Sequence, residues 1–135
     1  MKYLESLNEK QKKAVLEIDG PVLIVAGAGA GKTKTLTTRI AHIIETGISG
    51  EHILAVTFTN KAAGEMRERV HKILEEKNID SIKLPVVKTF HSLGVYLLRR
   101  HSELLGRKNS FTILDEGDVL SIVKDSVKAE GLDPK

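Results

Sequence analysis

The chain has 135 residues, of which 41% are hydrophobic, a net charge of +3 and no cysteine. This length corresponds to about one domain, and the hydrophobic content suffices for a buried core. The lack of cysteine excludes disulfides, thiolate metal ligands and a cysteine nucleophile. Because the N-terminus has no apolar signal segment and no apolar run could span a bilayer, we expect a cytoplasmic protein with no membrane partner. The mildly basic charge permits a nucleic-acid partner without requiring one.

The first half of the chain predicts a helix, a strand and a second helix. Residues 8–18 have the apolar spacing of an amphipathic helix, which Asp19-Gly20-Pro21 ends. Residues 21–25 form a continuous apolar run and predict a buried strand. A further helix, ending near Thr46-Gly47, is indicated by apolar residues at helical spacing: Leu36, Ile40, Ile43 and Ile44.

The second half predicts two more strands and three more helices. Residues 53–58 and 85–90 are the strands. The helix after the first strand is expected to start at a cap on Thr59 or Asn60. The other predicted segments are a loop over 75–81, a helix over 92–105, a loop over 106–110 and a helix over 115–130 that Gly131 and Pro134 end. This alternation predicts an α/β fold with a parallel sheet flanked by helices, whose ligands bind at the carboxyl ends of the strands.

A glycine-rich octapeptide between the first predicted strand and its helix has the pattern of a phosphate-binding P-loop. Its glycines let backbone N–H groups converge on phosphate oxygens, and the helix N-terminus adds unpaired donors. Lys32 can reach the β- and γ-phosphates, and the Thr33 hydroxyl can bind Mg²⁺. The alternative is a glycine-rich turn without a ligand. The octapeptide, with alanine where the pattern begins with glycine, is Ala26, Gly27, Ala28, Gly29, Ala30, Gly31, Lys32 and Thr33.

Two other turns follow predicted strands and combine an aromatic ring with polar groups. Aromatic rings can stack on bases while donors hold phosphates, so the turns suit single-stranded DNA. For each turn alone, the alternative is a core phenylalanine beside helix-capping residues. The candidate DNA-binding residues are Thr57, Phe58, Asn60, Lys61, Thr89, Phe90 and His91.

Together, these motifs resemble the N-terminal part of the UvrD/PcrA/Rep-type superfamily 1 DNA helicases. The resemblance extends over essentially all 135 residues, with the motifs in the same order and at similar spacing. It implies a partial RecA-like ATP-binding domain over residues 1–110 and the start of an inserted helical subdomain over 111–135. The matching segments are residues 7–11, the P-loop octapeptide, residues 53–63 and residues 89–92.

The resemblance also assigns roles to single residues. ATP and Mg²⁺ would be the cofactors, Lys32 the catalytic lysine and Gln11 the residue that reads the adenine edge. Lys34 would lie near the nucleotide, where the family often has arginine, and it lacks the planar stacking ability of arginine. Phe58, Asn60 and Lys61 would contact single-stranded DNA. Thr89 and His91 would contact DNA or couple it to the ATP site.

The segment 111–116 looks like an apolar strand followed by the acids that hydrolysis requires, but we interpret it differently. Asp115 and Asp118 have the spacing of a helix cap with acids in the first turn. In the helicases that the chain resembles, the catalytic acids and arginine fingers come later. We therefore expect a truncated chain that binds ATP without turnover and exposes sheet edges prone to self-association.

Two other functional classes remain open from the sequence. One is a short stand-alone ATP-dependent DNA-binding or regulatory protein, which would use the same residues. The other is a kinase or GTPase. Asn60-Lys61 is similar to the start of a guanine-reading Asn-Lys-x-Asp pattern, but Ala63 occupies the place of the acid.

Overall fold

The computed structural model describes residues 2–76 and 84–133. Most of the predicted loop over 75–81 and the predicted stop at Pro134 lie outside them. The chain divides into two compact units, Met1–Gly94 and Val95–Lys135, and the sequence-based boundary after residue 110 stays a prediction. The helices and strands are α1 (Lys2–Glu5), α2 (Glu9–Leu16), α3 (Lys32–Glu45), β1 (Leu54–Thr57), α4 (Asn60–Glu75), β2 (Val86–Thr89), α5 (Phe90–His101) and α6 (Glu116–Ala129).

The core of the first unit lies between a two-stranded parallel sheet and the helices α3 and α4. β1 and β2 pair from Leu54 opposite Val86 to Thr57 opposite Thr89. Parallel strands need a long crossover, and α4 lies within that connection. The fold is therefore α/β with a parallel sheet and flanking helices, as predicted. The core residues are Ile40, Ala41, Ala55, Ala63, Met66, Val70, Leu74 and Val87.

The start of α4 is set by a side-chain cap, one of the two positions expected from the sequence. The Thr59 hydroxyl accepts a hydrogen bond from the backbone N–H of Ala62 at 3.1 Å. This bond satisfies one of the donors that a helix leaves unpaired in its first turn. The cap fixes Asn60 and Lys61 as the first two residues of α4, directly after the turn at Phe58.

Helix α2 is fastened to α3 by an arginine. The Arg39 guanidinium donates to the carbonyls of Ala14, at 2.5 Å, and Glu17. These carbonyls belong to the end of α2, where a cation also interacts favourably with the helix dipole. The contact helps hold α2 beside the helix that follows the P-loop.

The short helix α1, which the sequence analysis did not predict, is fastened to α3 by a tyrosine. The Tyr3 hydroxyl lies 3.0 Å from Nδ1 of the buried His42 and also donates to Glu45. Burial raises the pKa of Tyr3, and the hydrogen bond to the Glu45 carboxylate and its charge raise it further. A four-residue helix has almost no stability of its own, so these contacts account for its position.

The strand predicted over residues 21–25 is wrong. The segment has no strand assignment, and Leu23 and Val25 are 88% and 87% exposed. A strand needs a hydrogen-bonded neighbour, and the strands in the described residues pair only with each other. Apolar composition predicts a buried strand, but it does not supply the partner.

The second unit contains the end of α5, a 3₁₀ turn over Ser102–Leu105 and α6. The predicted helix over 92–105 thus begins earlier and ends in a tighter turn. Asp115 accepts from the backbone N–H of Asp118 at 2.8 Å, and Asp118 accepts from that of Asp115 at 3.1 Å. The interpretation of these acids as a helix start is confirmed. Within the described residues, no helix is long and apolar enough to cross a membrane.

Candidate nucleotide and DNA site

The P-loop connects residues 21–25 to α3 through two glycines in the left-handed region. Gly29 has φ of +73° and Gly31 has φ of +80°, values that side chains other than glycine rarely adopt. Gly31 is the N-cap of α3 and has no side chain to cap the first turn. The backbone N–H groups at the start of α3 are therefore available to an anion, and the helix dipole favours negative charge there.

The Lys32 ammonium is held against the beginning of the loop. It donates to the carbonyls of Ala26 and Gly27, both at 2.7 Å. The lysine side chain thus folds back over the first residues of the loop that precedes α3. This arrangement places a positive charge beside the loop formed by the glycines, in agreement with a phosphate site.

Gln11 contacts the loop at Ala30. Its Nε2 donates to the carbonyl of Ala30 at 3.1 Å, and its Oε1 accepts from the backbone N–H of Asn8 at 3.0 Å. A Cβ placed on Gly31 would lie 2.8 Å from Nε2, so the amide is close against the start of α3. The structure brings Gln11 to the P-loop, as its expected role at the nucleotide requires.

The Lys34 side chain contacts the connection between α1 and α2. Its ammonium donates to the carbonyl of Ser6 at 2.8 Å. It also lines a groove of about 370 Å³ together with Tyr3, Arg69 and Lys72. The expected position of Lys34 beside a nucleotide stays a prediction.

The two aromatic turns meet at the carboxyl ends of β1 and β2. The Phe58 and Phe90 ring centroids are 5.4 Å apart, with an angle of 48° between the ring planes. Phe58 is 86% exposed and Phe90 is 56% exposed. Neither ring is a core residue, so the interpretation of these phenylalanines as packing residues does not hold.

The polar residues of the two turns divide into two groups. Asn60, Lys61 and His91 are exposed beside the phenylalanines. Thr57 is half-buried as the last residue of β1. Thr89 is only 6% exposed, and its hydroxyl accepts from the backbone N–H of Ser92 at 3.1 Å.

Two residues with local structural roles were missed by the sequence reasoning. Asn8 caps α2, and Ser92 accepts from the backbone N–H of Thr89 at 2.9 Å. Both form reciprocal contacts with the residue three positions away. The signal was available, because a capping residue followed three positions later by glutamine is a helix-start pattern.

The described residues contain no group of three or more His, Asp or Glu side chains arranged to hold a metal ion. The Thr33 hydroxyl, at the second position of α3, forms no hydrogen bond within the described residues and is exposed. A P-loop magnesium ion is held partly by the phosphates and water and needs few protein ligands. The residues present are compatible with such an ion.

Comparison with known proteins decides the family. Residues 7–135 match the UvrD/REP helicase N-terminal domain. The chain belongs to this family. The matched residues include the P-loop, both aromatic turns, Gln11 and α6. All the site residues described above therefore lie within the domain that defines this family.

Individual relatives agree with the family assignment. The chain is 45% identical over 133 residues to the ATP-dependent DNA helicase PcrA of Staphylococcus aureus, which covers 98% of this chain and 18% of that protein. It is 49% identical over 129 residues to DNA helicase II of Rickettsia typhi, covering 93% of this chain and 19% of that protein. The chain thus spans about a fifth of the length of these relatives.

Proposed function

We propose that this chain is the ATP-binding N-terminal part of an ATP-dependent DNA helicase that moves along single-stranded DNA. The observation that carries the proposal is the P-loop, in which Gly29 and Gly31 adopt left-handed conformations and Lys32 lies against the loop. Its family relatives are named as ATP-dependent DNA helicases, which supports both ligands. The chain alone is proposed to bind ATP without turnover.

In this proposal, the nucleotide is held at both ends. The backbone N–H groups at the start of α3 bind the phosphates, and the Lys32 ammonium transfers from the carbonyls of Ala26 and Gly27 to phosphate oxygens. This exchange is favourable because a charged acceptor forms a stronger hydrogen bond than a neutral carbonyl. Gln11 meets the adenine edge, and Thr33 contributes its hydroxyl to Mg²⁺, which offsets the negative charge of the phosphates.

The paired rings of Phe58 and Phe90 supply the DNA part of the proposal. Two adjoining exposed rings offer stacking surfaces for successive bases, whatever their sequence. Lys61 and His91 lie at the starts of α4 and α5, where backbone N–H groups also favour phosphates. The hydroxyl of Thr89 is occupied by Ser92, so we assign Thr89 to the support of this turn.

The guanine-reading alternative loses support from the structure. Ala63, which occupies the place of the acid in that pattern, belongs to the core-facing side of α4 and is buried. This position has no carboxylate and is only 3% exposed. Asn60 and Lys61 therefore face solvent without the acceptor that guanine recognition needs.

Backbone amide chemical shifts of the isotope-labelled chain test this proposal. Addition of ATP with Mg²⁺ is expected to shift the amides of residues 26–34 and Gln11. A thymidine oligonucleotide is expected to shift Phe58, Asn60, Lys61, Phe90 and His91. Shifts confined to the second unit, or no shifts with either ligand, would contradict the proposed function.

A further inference from the structure

The side-chain amide of Gln11 lies between two backbone groups of opposite polarity. Its Oε1 faces the N–H of Asn8 at 3.0 Å, and its Nε2 faces the carbonyl of Ala30 at 3.1 Å. If the amide turned over, its NH₂ group would face an N–H and its oxygen would face a carbonyl oxygen. The two neighbours therefore determine which end of the amide is the donor.

The side chain of Asn8 keeps the first of these neighbours in place. Its Oδ1 accepts from the backbone N–H of Gln11 at 2.9 Å, and the two residues form a reciprocal capping box at the start of α2. This contact holds the extended backbone of Asn8, which in turn directs the Asn8 N–H at the Gln11 oxygen. Loss of the Asn8 side chain would free one end of the amide.

We propose that Asn8 is a positioning residue for base selection, because it fixes the orientation of the Gln11 amide. This inference rests on the proposed ATP binding. After its two contacts, the amide still has one N–H and one oxygen lone pair. Adenine presents an acceptor, N7, beside a donor, the N6 amino group, whereas guanine presents two acceptors, N7 and O6. An amide fixed in this orientation can donate to N7 of adenine and accept from its N6 amino group. With guanine, the amide oxygen would face O6, which is also an acceptor, so no hydrogen bond could form there.

The close approach of Gly31 adds a second restriction on the amide. The space beside Nε2 is too small even for a Cβ on residue 31. The Nε2 end of the amide is thus held by the Ala30 carbonyl close to the start of α3, and the Oε1 end is held by the Asn8 N–H. This makes Asn8 the position at which a substitution should change base selection.

Calorimetric titrations of the 135-residue chain with ATP, GTP and inorganic tripolyphosphate test the inference. Asn8→Ala removes the cap, and Asn8→Ser keeps a hydroxyl that can accept the same bond. In Asn8→Ala, we expect the preference for ATP over GTP to fall about three- to tenfold, the effect of one hydrogen bond. In Asn8→Ser, the preference should stay close to that of the wild type. Tripolyphosphate has no base, so its affinity should be unchanged in both variants.

An unchanged preference in a folded Asn8→Ala variant would overturn the inference. An equal loss of affinity for all three ligands would also overturn it, because Asn8 would then support the fold of the P-loop alone. If Asn8→Ala does not fold, Asn8→Gly serves instead, since glycine is well tolerated at an N-cap. A wild-type chain that binds no nucleotide would contradict the proposed function itself, an outcome distinct from an unchanged preference.

Discussion

The rings of Phe58 and Phe90 are in contact, with centroids 5.4 Å apart, although 31 residues separate them in the chain. The parallel register explains this contact, because Thr57 lies directly opposite Thr89 and each is followed by its phenylalanine. Both side chains reach solvent at the same edge of the sheet. The pair is the most direct structural support for a single-stranded DNA surface on this chain.

Phe58→Ala should weaken binding of single-stranded DNA by about 1–3 kcal/mol if the ring stacks on a base. The free energy of unfolding should change little, because the ring is 86% exposed. Fluorescence anisotropy with a labelled thymidine oligonucleotide measures the affinity, and urea unfolding measures the stability. Leu104→Ala, which alters a comparably exposed apolar residue in the second unit, is the matched control. Lower stability with unchanged DNA affinity would show that Phe58 is a packing residue.

The burial of Tyr3, together with its contact to Glu45, predicts a loss of stability at alkaline pH. The pKa of Tyr3 is raised in the folded chain above the ordinary value of about 10. The folded state therefore holds this proton more tightly than the unfolded state. Its contribution to stability is complete below about pH 10 and is lost as the pH rises through the raised pKa. Urea unfolding at a series of pH values should show a steeper decline for the wild type than for Tyr3→Phe.

Lysine deprotonation affects the wild type and Tyr3→Phe equally. The difference between their pH profiles therefore reports the contribution of the Tyr3 hydroxyl. Tyr3→Phe should also be less stable near neutral pH by about 1 kcal/mol, the contribution of a typical hydrogen bond. Parallel pH profiles would mean that the tyrosine hydroxyl does not hold α1 on α3.

The exposed apolar segment over residues 21–25 predicts self-association. Leu23 and Val25 are nearly fully exposed. An exposed apolar segment that pairs with no strand in the described residues can pair with a second copy. Light scattering should show a mass that increases with protein concentration. Leu23→Lys combined with Val25→Lys should reduce this increase, whereas Ile48→Lys, at another exposed position, should not. A constant monomer mass for the wild type would contradict the prediction.

The chain is expected not to hydrolyse ATP. Hydrolysis needs a carboxylate that holds the magnesium shell and a group that orients the attacking water. The acids that imitate such a motif are Asp115 and Glu116. Asp115 caps α6 through reciprocal backbone contacts with Asp118, and Glu116 is the first residue of that helix. A phosphate-release assay with the purified chain should give the rate of the buffer alone. Steady release that Lys32→Ala abolishes would show that the catalytic acids are present after all.

The features that could be predicted from the sequence are those that depend on neighbouring residues in the chain. The Thr59 cap and the acids at the start of α6 depend on neighbours within a few residues. The sequence also predicted that Phe58 and Phe90 lie at strand ends. Their mutual contact could not be predicted, because it depends on the register between two strands.

Features that depend on hydrogen-bond partners far away in the chain could not be predicted from the sequence. Residues 21–25 have the composition of a strand, but a strand exists only beside another strand. Helix α1 has too few residues for a periodic signal, and it is held by contacts from Tyr3 to residues about forty positions away. The occupation of the Thr89 hydroxyl by Ser92 was a local signal that went unused. In each case, the missing information was the identity of a hydrogen-bond partner.

Calorimetric titration of the chain with ATP and Mg²⁺, compared between the wild type and Lys32→Ala, measures whether the P-loop binds ATP. We expect saturable binding at one site per chain and a loss of affinity of at least about tenfold in Lys32→Ala, because a charge-assisted contact to phosphate disappears. Lys124→Ala, which removes an exposed ammonium on α6, is the matched control and should leave the affinity unchanged. Equal affinity in the wild type and Lys32→Ala, or no binding by the wild type, would contradict the account.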